Sequence, residues 1–313
     1  MRTKQLITFS VFATIVLSQD FLKVEEKQIL WTKGETKYSK HSIEQLKGMM
    51  KLKHLPQENF YHHNNRFRLG ASPLHPDLPK TFSWRSERPE CMVPSLDQGE
   101  CGSCYAYATS AMLAERLCIN TKQEKAVPLA PAYIMTCDPF ADGCRGGVIS
   151  QVLEYLNDES IITNECIGYK NETLDQCPSK CVSLDLKPSY RVKCQKDSNH
   201  QYLTIDEIKS EILTHGPVAS SMVIFEDLIT YHSGIYTWDS GDLIGAHAIL
   251  LVGWGENEDG VKYWEVQNSW GTTWGENGGF FRIVEGNSEI ASEAFGGGYS
   301  CLPEIVQETN ILY

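Results

Sequence analysis

Eleven cysteines in 313 residues, none of them before Cys91, constrain this chain more than any other feature. An odd count leaves one thiol over when the others pair, and pairing belongs to an oxidising compartment. The N-terminus supplies a route to one. Arg2 and Lys4 precede a short, mostly apolar run over residues 6–17, and small Val16 and Ser18 stand before a cut at Gln19 or Asp20. Residues 1–18 therefore read as a signal peptide, with an apolar run too short to cross a bilayer. No other stretch approaches a span. One glycosylation sequon, Asn171-Glu-Thr173, fits the same route.

The leftover thiol is Cys104, in Gln98-Gly-Glu-Cys-Gly-Ser-Cys104. There a loop gives way to a proline-free run of small and apolar residues, 105–117, which predicts a helix. A thiol at a helix N-terminus faces unpaired backbone N–H groups and the positive end of the macrodipole. Both favour the thiolate, which is the nucleophile. Gln98 lies on the loop, with its amide in reach of the space beside the Cys104 N–H. Two donors beside a nucleophile make an oxyanion hole. Cys101-Gly-Ser-Cys104 also reads as a redox pair or half a zinc site. A nucleophile needs a base and a group to orient it. His247, in Gly-Ala-His-Ala-Ile-Leu-Leu-Val-Gly-Trp-Gly, and Asn268, in Gln-Asn-Ser-Trp-Gly, follow in that order.

Composition fits a globular chain, 42% hydrophobic and 22% charged, long enough for about two domain-sized units. Net charge of −12 without a basic patch argues against a nucleic-acid partner. It suits solubility or an acidic compartment. Residues 19–77 lack cysteine, are rich in lysine, and carry Ile43, Leu46, Met49 and Met50 at helical spacing, which predicts one short amphipathic helix over residues 42–53. They read as a propeptide joined to a body that begins near residue 78, after Pro73 and Pro76. The body divides near residue 190. Its first half holds the Cys104 run and a second helical run over 149–157. Its second half holds an amphipathic helix over 204–214 and strand-like runs over 218–225, 247–252, 263–268 and 279–284. This is an α+β plan with the site between a helical half and a β half. Nothing is legible in the tail, residues 304–313.

These motifs resemble the papain family of cysteine proteases, and within it the cathepsin B-like branch. The resemblance runs from about residue 79 to 298 and rests on the Cys104 motif, Gly143-Cys-Arg-Gly-Gly147, Gly216-Pro-Val, His247-Ala-Ile and Asn268-Ser-Trp-Gly. It implies a papain-like fold of two subdomains, the second barrel-like, with the active site in the cleft between them. It implies Cys104 as nucleophile, His247 as general base and then acid, Asn268 as the group orienting the imidazole, and Gln98 in the oxyanion hole. Trp270 is similar to the indole that shields the Asn–His pair at the substrate cleft. Gly146 and Gly147 are similar to the strip that pairs with an extended substrate. Glu293 matches an acidic residue at the floor of the S2 pocket, the alternative being a solvated surface glutamate. The implied disulfides are Cys91–Cys118, Cys101–Cys144, Cys137–Cys177 and Cys166–Cys181, with Cys194–Cys301 left to pair. The implied partners are peptide and protein substrates, the propeptide as inhibitor and cystatin-like protein inhibitors, acting on a monomer. No cofactor or metal is implied, and the implied address is a lysosome, a vacuole or the extracellular space.

The sequence departs from that pattern in three places. Tyr105 follows the nucleophile where many relatives have Trp, and Arg145 stands beside the glycine strip where cathepsin B-like relatives have Asn. The stretch between Cys144 and Cys177 is short and holds no His, so the loop that closes the cleft in cathepsin B-like exopeptidases is not expected, and Lys170 and Lys180, though cations, have no such loop to set their distance from Cys104. The expected activity is an endopeptidase. Two other classes remain: a non-catalytic binding protein on the same scaffold, which would have lost Cys104, His247 or Asn268, and a transglutaminase-like acyl transferase, against which the motif order argues.

Overall fold

The computed structural model describes residues 30–53, 68–69, 77–168, 170–178, 191–287 and 297–306. The expected signal peptide, Lys180, Cys181 and Glu293 lie outside these residues. Two apolar cores sit side by side, one built mainly from helices and one mainly from strands.

The helical core is organised around Cys104–Thr121. Ala106, Ala108, Leu113, Ala114 and Leu117 are all buried, on more than one face of the helix. A helix apolar nearly all round must be covered nearly all round. Pro131–Cys137 and Ile149–Asp158 supply the cover. The central helix stops where Lys122 takes a left-handed conformation, φ 55°. Short strands β4 (Ile161–Ile162), β5 (Arg191–Cys194) and β13 (Pro303–Val306) form a separate three-stranded sheet on this half. The body, expected to end at residue 303, thus continues through Val306. Proline is tolerated as the first residue of that strand because no ladder donor is lost inside it.

The β half is a ten-stranded sheet. Its order is β1 (Trp31–Lys33), β8 (Tyr231–Tyr236), β11 (Phe280–Val284), β10 (Lys262–Gln267), β9 (Leu243–Glu256), β7 (Val218–Phe225), β12 (Gly298–Ser300), β6 (His200–Tyr202) and β2 (Arg68–Leu69), with β3 (Phe82–Ser83) pairing β9 off that path. The path runs from β1 to β2 without closing among the described residues. Among the described residues the β half is thus a long sheet path without barrel closure, beside the helical half in the expected two-subdomain plan. The helix expected over 204–214 is Ile205–His215, started by a reciprocal cap: Glu207 N donates to Thr204 Oγ1 at 3.2 Å, and Thr204 N donates to Glu207 Oε2 at 3.0 Å.

β9 divides the two cores. Successive side chains of a strand point to opposite faces. Ala248, Leu250 and Val252 belong to the helical core, whereas Ile249 and Leu251 belong to the core of the β half.

Residues 30–53 form a strap across both halves. β1 pairs antiparallel with β8. Ser42 caps the helix Ile43–Met49, with Gln45 returning the bond in a capping box. The helix expected over 42–53 ends at Met49, because Met50 leaves helical geometry at ψ 67° and the chain runs on extended. Lys51 and Leu52 then bridge in parallel to Ala246 and Gly147. Trp31, Tyr38, Leu46, Met49 and Met50 are buried in the core of the β half, and Leu52 in the helical core.

Disulfides join Cys91 to Cys118, Cys101 to Cys144, Cys137 to Cys177 and Cys194 to Cys301. Cys166 is also disulfide-bonded, and its expected partner Cys181 lies outside the described residues.

Candidate active site

Cys104 is the first residue of its helix, and it is a free thiol. Its neighbour in the Cys-x-x-Cys motif, Cys101, is bonded to Cys144, so these two cysteines are not a redox pair with each other. Ser103, at the N-cap, makes no side-chain capping bond, so its hydroxyl does not cover the N–H groups of Cys104 and Tyr105. Backbone groups of Ala248, Tyr105, Cys104 and Lys51 favour the thiolate, yet burial outweighs them and pushes the thiol up to about 11. The thiolate expected from the helix terminus is therefore absent in this form. The strap's Lys51 backbone lies against the thiol, and burial withholds the water that a thiolate needs.

His247 lies on β9, on the face shared with Ile249 and Leu251. It is fully buried, and burial carries it down to about 4 against the opposing bond from Asn268. Its Nε2 stands 2.8 Å from Asn268 Oδ1. Ser269 N donates to the same oxygen at 2.8 Å. A backbone N–H can only donate, so Oδ1 is the acceptor and His247 Nε2 carries the proton. Nδ1 is then the basic nitrogen, and it has no hydrogen-bond partner among the described residues. Trp270 is fully buried, its ring 5.2 Å from the imidazole, and it shields the His247–Asn268 pair from solvent.

Gln98 is held at both ends of its amide. Ser269 Oγ donates to its Oε1 at 2.7 Å, which aims Nε2 inward. Nε2 donates to Cys101 O at 2.9 Å and to Met49 O of the strap at 3.1 Å. Ser269 was not singled out in the sequence, although it sits inside the Asn-Ser-Trp-Gly motif. Its hydroxyl fixes the Gln98 amide and its N–H fixes the Asn268 amide.

The glycine strip is also occupied. Lys53 N donates to Gly147 O at 2.8 Å, and Leu52 N to Ala246 O at 3.3 Å. Gly146 has φ 110°, and a Cβ there would stand 2.0 Å from Lys51 O. Only glycine permits both that conformation and that approach. At Gly147 a Cβ would meet the Tyr105 ring at 2.6 Å, so the aromatic residue after Cys104 packs under the strip. Arg145 does not present a lone charge there, because it pairs with Asp142. Lys53 reaches the same carboxylate at 3.2 Å. Hydrogen bonds from Arg145 and Lys53 hold Asp142 below the usual carboxylate range.

On the opposite flank the strap meets Asp97. Burial works to raise this carboxyl, but hydrogen bonds from Lys37, Gly99 and Tyr38 prevail and leave it below its ordinary value. Residues 170–178 pass nearby. Tyr107 OH donates to Lys170 O at 3.4 Å, and Leu174 N to Thr136 Oγ1 at 2.9 Å.

A model of the family described as papain family cysteine protease matches residues 78–297. The cathepsin B-like CP3 and CP2 of Giardia intestinalis are 35% identical over 219 residues and 33% identical over 220, each match covering 69% of this chain and 72% of the relative. Cathepsin B of Dictyostelium discoideum is 31% identical over 240 residues, covering 72% of this chain and 76% of that one. Among solved structures, procathepsin B S9 from Trypanosoma congolense superposes with a TM-score of 0.72 at 22% identity, covering 88% of this chain and 94% of that one. Its fold is similar to the one described above.

Proposed function

The chain belongs to the papain family of cysteine proteases, and from that premise we propose that it is an endopeptidase of the secretory route, made as a precursor and working through Cys104, His247 and Asn268. The carrying observation is Met49 O accepting from Gln98 Nε2 at 3.1 Å, beside the buried thiol. A peptide carbonyl already rests on the donor that an oxyanion would use.

The chemistry follows from the groups around the thiol. His247 Nδ1 takes the Cys104 proton, and the thiolate attacks the substrate carbonyl. Negative charge gathers on the carbonyl oxygen, where Gln98 Nε2 and the Cys104 backbone N–H receive it. His247 returns its proton to the leaving amine. Water, deprotonated by the same imidazole, then releases the acyl group from sulfur. Asn268 Oδ1 keeps the ring in the required tautomer, and Trp270 excludes water from that bond. Gly146 and Gly147 align the substrate backbone, and Glu293 sets a preference for arginine beside leucine or phenylalanine at P2.

Residues 1–18 act as the signal peptide and 19–77 as the propeptide, and Cys166–Cys181 completes the disulfides. A lysosomal, vacuolar or extracellular address follows from that processing. Endopeptidase action follows from the short, His-free stretch between Cys144 and Cys177, which is too short to wall off the cleft and set a cation at a fixed distance for a substrate's terminal carboxylate.

Mass spectrometry of a long peptide digested by the processed chain tests the reading. Internal cuts are expected from the first time points, and Cys104→Ser should abolish them. Stepwise loss of C-terminal dipeptides, or wild-type cleavage by Cys104→Ser, would overturn it.

A further inference from the structure

Asp97 lies next to Gln98 and has no part in the chemistry above. Its backbone is tightly fixed. Tyr107 OH donates to its carbonyl at 3.3 Å, it bridges to Trp270, and Gln98 N donates to Ser269 O at 2.9 Å. Its carboxylate is turned to the strap. Oδ1 accepts from Tyr38 OH and from Gly99 N, each at 2.9 Å, and Oδ2 accepts from the Lys37 ammonium.

The Lys37 ammonium also stands 4.5 Å over the Tyr38 ring, and that ring meets Trp270 edge-on at 5.8 Å. The strap thus fills this flank of the cleft with a cation and an aromatic ring, both bound to one carboxylate. A second carboxylate, Glu100, accepts from Gln45 on the same rim at 3.3 Å and faces His41 at 3.4 Å. The occupant is basic: residues 30–53 hold six lysines against two glutamates, in a chain of net charge −12.

The flank corresponds to a definite part of a substrate. His247 hands its proton to the leaving amine, so residues after the cleaved bond lie on the His247 and Trp270 side. Residues before it lie along Gly146 and Gly147, on the other side of Cys104. Once the strap is gone, Asp97 loses Lys37 and Tyr38 and faces the leaving-group side.

We propose that Asp97 determines specificity after the cleaved bond, binding a lysine or arginine in the first or second position beyond it. The carboxylate supplies the charge, and Trp270 supplies the face along which an aliphatic stem lies. This assignment rests on the peptide-hydrolase reading of the site.

The test uses the full chain, processed to its active form, and quenched fluorescent peptides that differ only in Lys, Met or Glu at those two positions. The wild type should favour Lys over Glu by about tenfold in kcat/KM, since one partner attracts and the other repels. Asp97→Asn should bring the ratio within about twofold of unity. Asp97→Lys should invert it, which loss of a merely structural contact would not do. A ratio unchanged in Asp97→Asn would overturn the assignment and leave the hydrolase reading standing. Cleavage of no peptide by the wild type would overturn both.

Discussion

The strap meets the two halves of the molecule by different physics. Against the β half it is an apolar insert: Trp31, Tyr38, Leu46, Met49 and Met50 are part of that core, and β1 extends the sheet. Against the helical half it contributes one buried apolar side chain, Leu52, and is held there by polar bonds: backbone bonds to Ala246 and Gly147, Met49 O on Gln98, Lys37 and Tyr38 on Asp97, Gln45 on Glu100, and Lys53 on Asp142. Hydrophobic burial is insensitive to pH and salt of moderate strength, whereas exposed charge pairs are sensitive to both. One end is an anchor. The other is a latch, and the latch lies over the thiol.

The largest expected effect asks whether the latch covers the thiol at all. With the strap seated, the Cys104 thiol stands at about 11 and His247 at about 4, so both are neutral at pH 7. Removing the strap restores water, lowers the first and raises the second. Iodoacetamide should therefore label Cys104 in the processed chain on the order of 1000-fold faster than in the precursor at pH 7, because rate follows thiolate fraction. Equal rates would remove the distinction between the two ends.

A smaller effect tests the anchor. Trp31 is 5% exposed and its indole N–H donates to Thr237 O at 3.0 Å. Truncating a buried tryptophan costs about 3–5 kcal/mol. Trp31→Ala in the precursor should raise Cys104 labelling roughly 100-fold or more as the strap detaches. Labelling at the wild-type rate would show that the latch holds without the anchor.

The smallest effect belongs to the latch itself. Lys53 and Asp142 are 48% and 39% exposed, and such exposed pairs contribute little to stability. Lys53→Met should accelerate labelling less than about fivefold at pH 7. Acid supplies the sign. Arg145 and Lys53 hold Asp142 below its ordinary value, so the seated strap favours the charged carboxylate. Its attachment is complete above the unpaired value of about 4 and weakens as pH falls through the lowered one. Hydrogen exchange of residues 50–53 should quicken over that window in the wild type and less so in Lys53→Met.

Much of this was legible in the sequence, for identifiable reasons. The helix begun at Cys104 and the strands around His247 announce themselves by apolar runs, the strands by enrichment in Val, Ile, Tyr and Phe between glycine-rich turns. The residues expected to do the chemistry sit in short motifs whose order could be read directly. The course of residues 50–53 could not be read, because an extended segment held by backbone bonds to another strand has no periodicity of its own. Met50 continued the helical spacing while the backbone left it. The burial of Cys104 could not be read for a related reason: the helix terminus is local and visible, but the strap segment that lies against the thiol comes from residues some fifty positions earlier. The strand Pro303–Val306 escaped notice because four residues on a sheet edge leave no pattern.

The alternation along β9 has a mechanical consequence. Because Ala248, Leu250 and Val252 belong to one half and Ile249 and Leu251 to the other, this stretch of the strand works like a zip with teeth on both sides. A slip by one residue would turn every tooth the wrong way at once. The two banks of the cleft are thus cut from a common edge, and the gap between them is set by one pleated backbone. The moving part is then the strap, lifted from a fixed jaw.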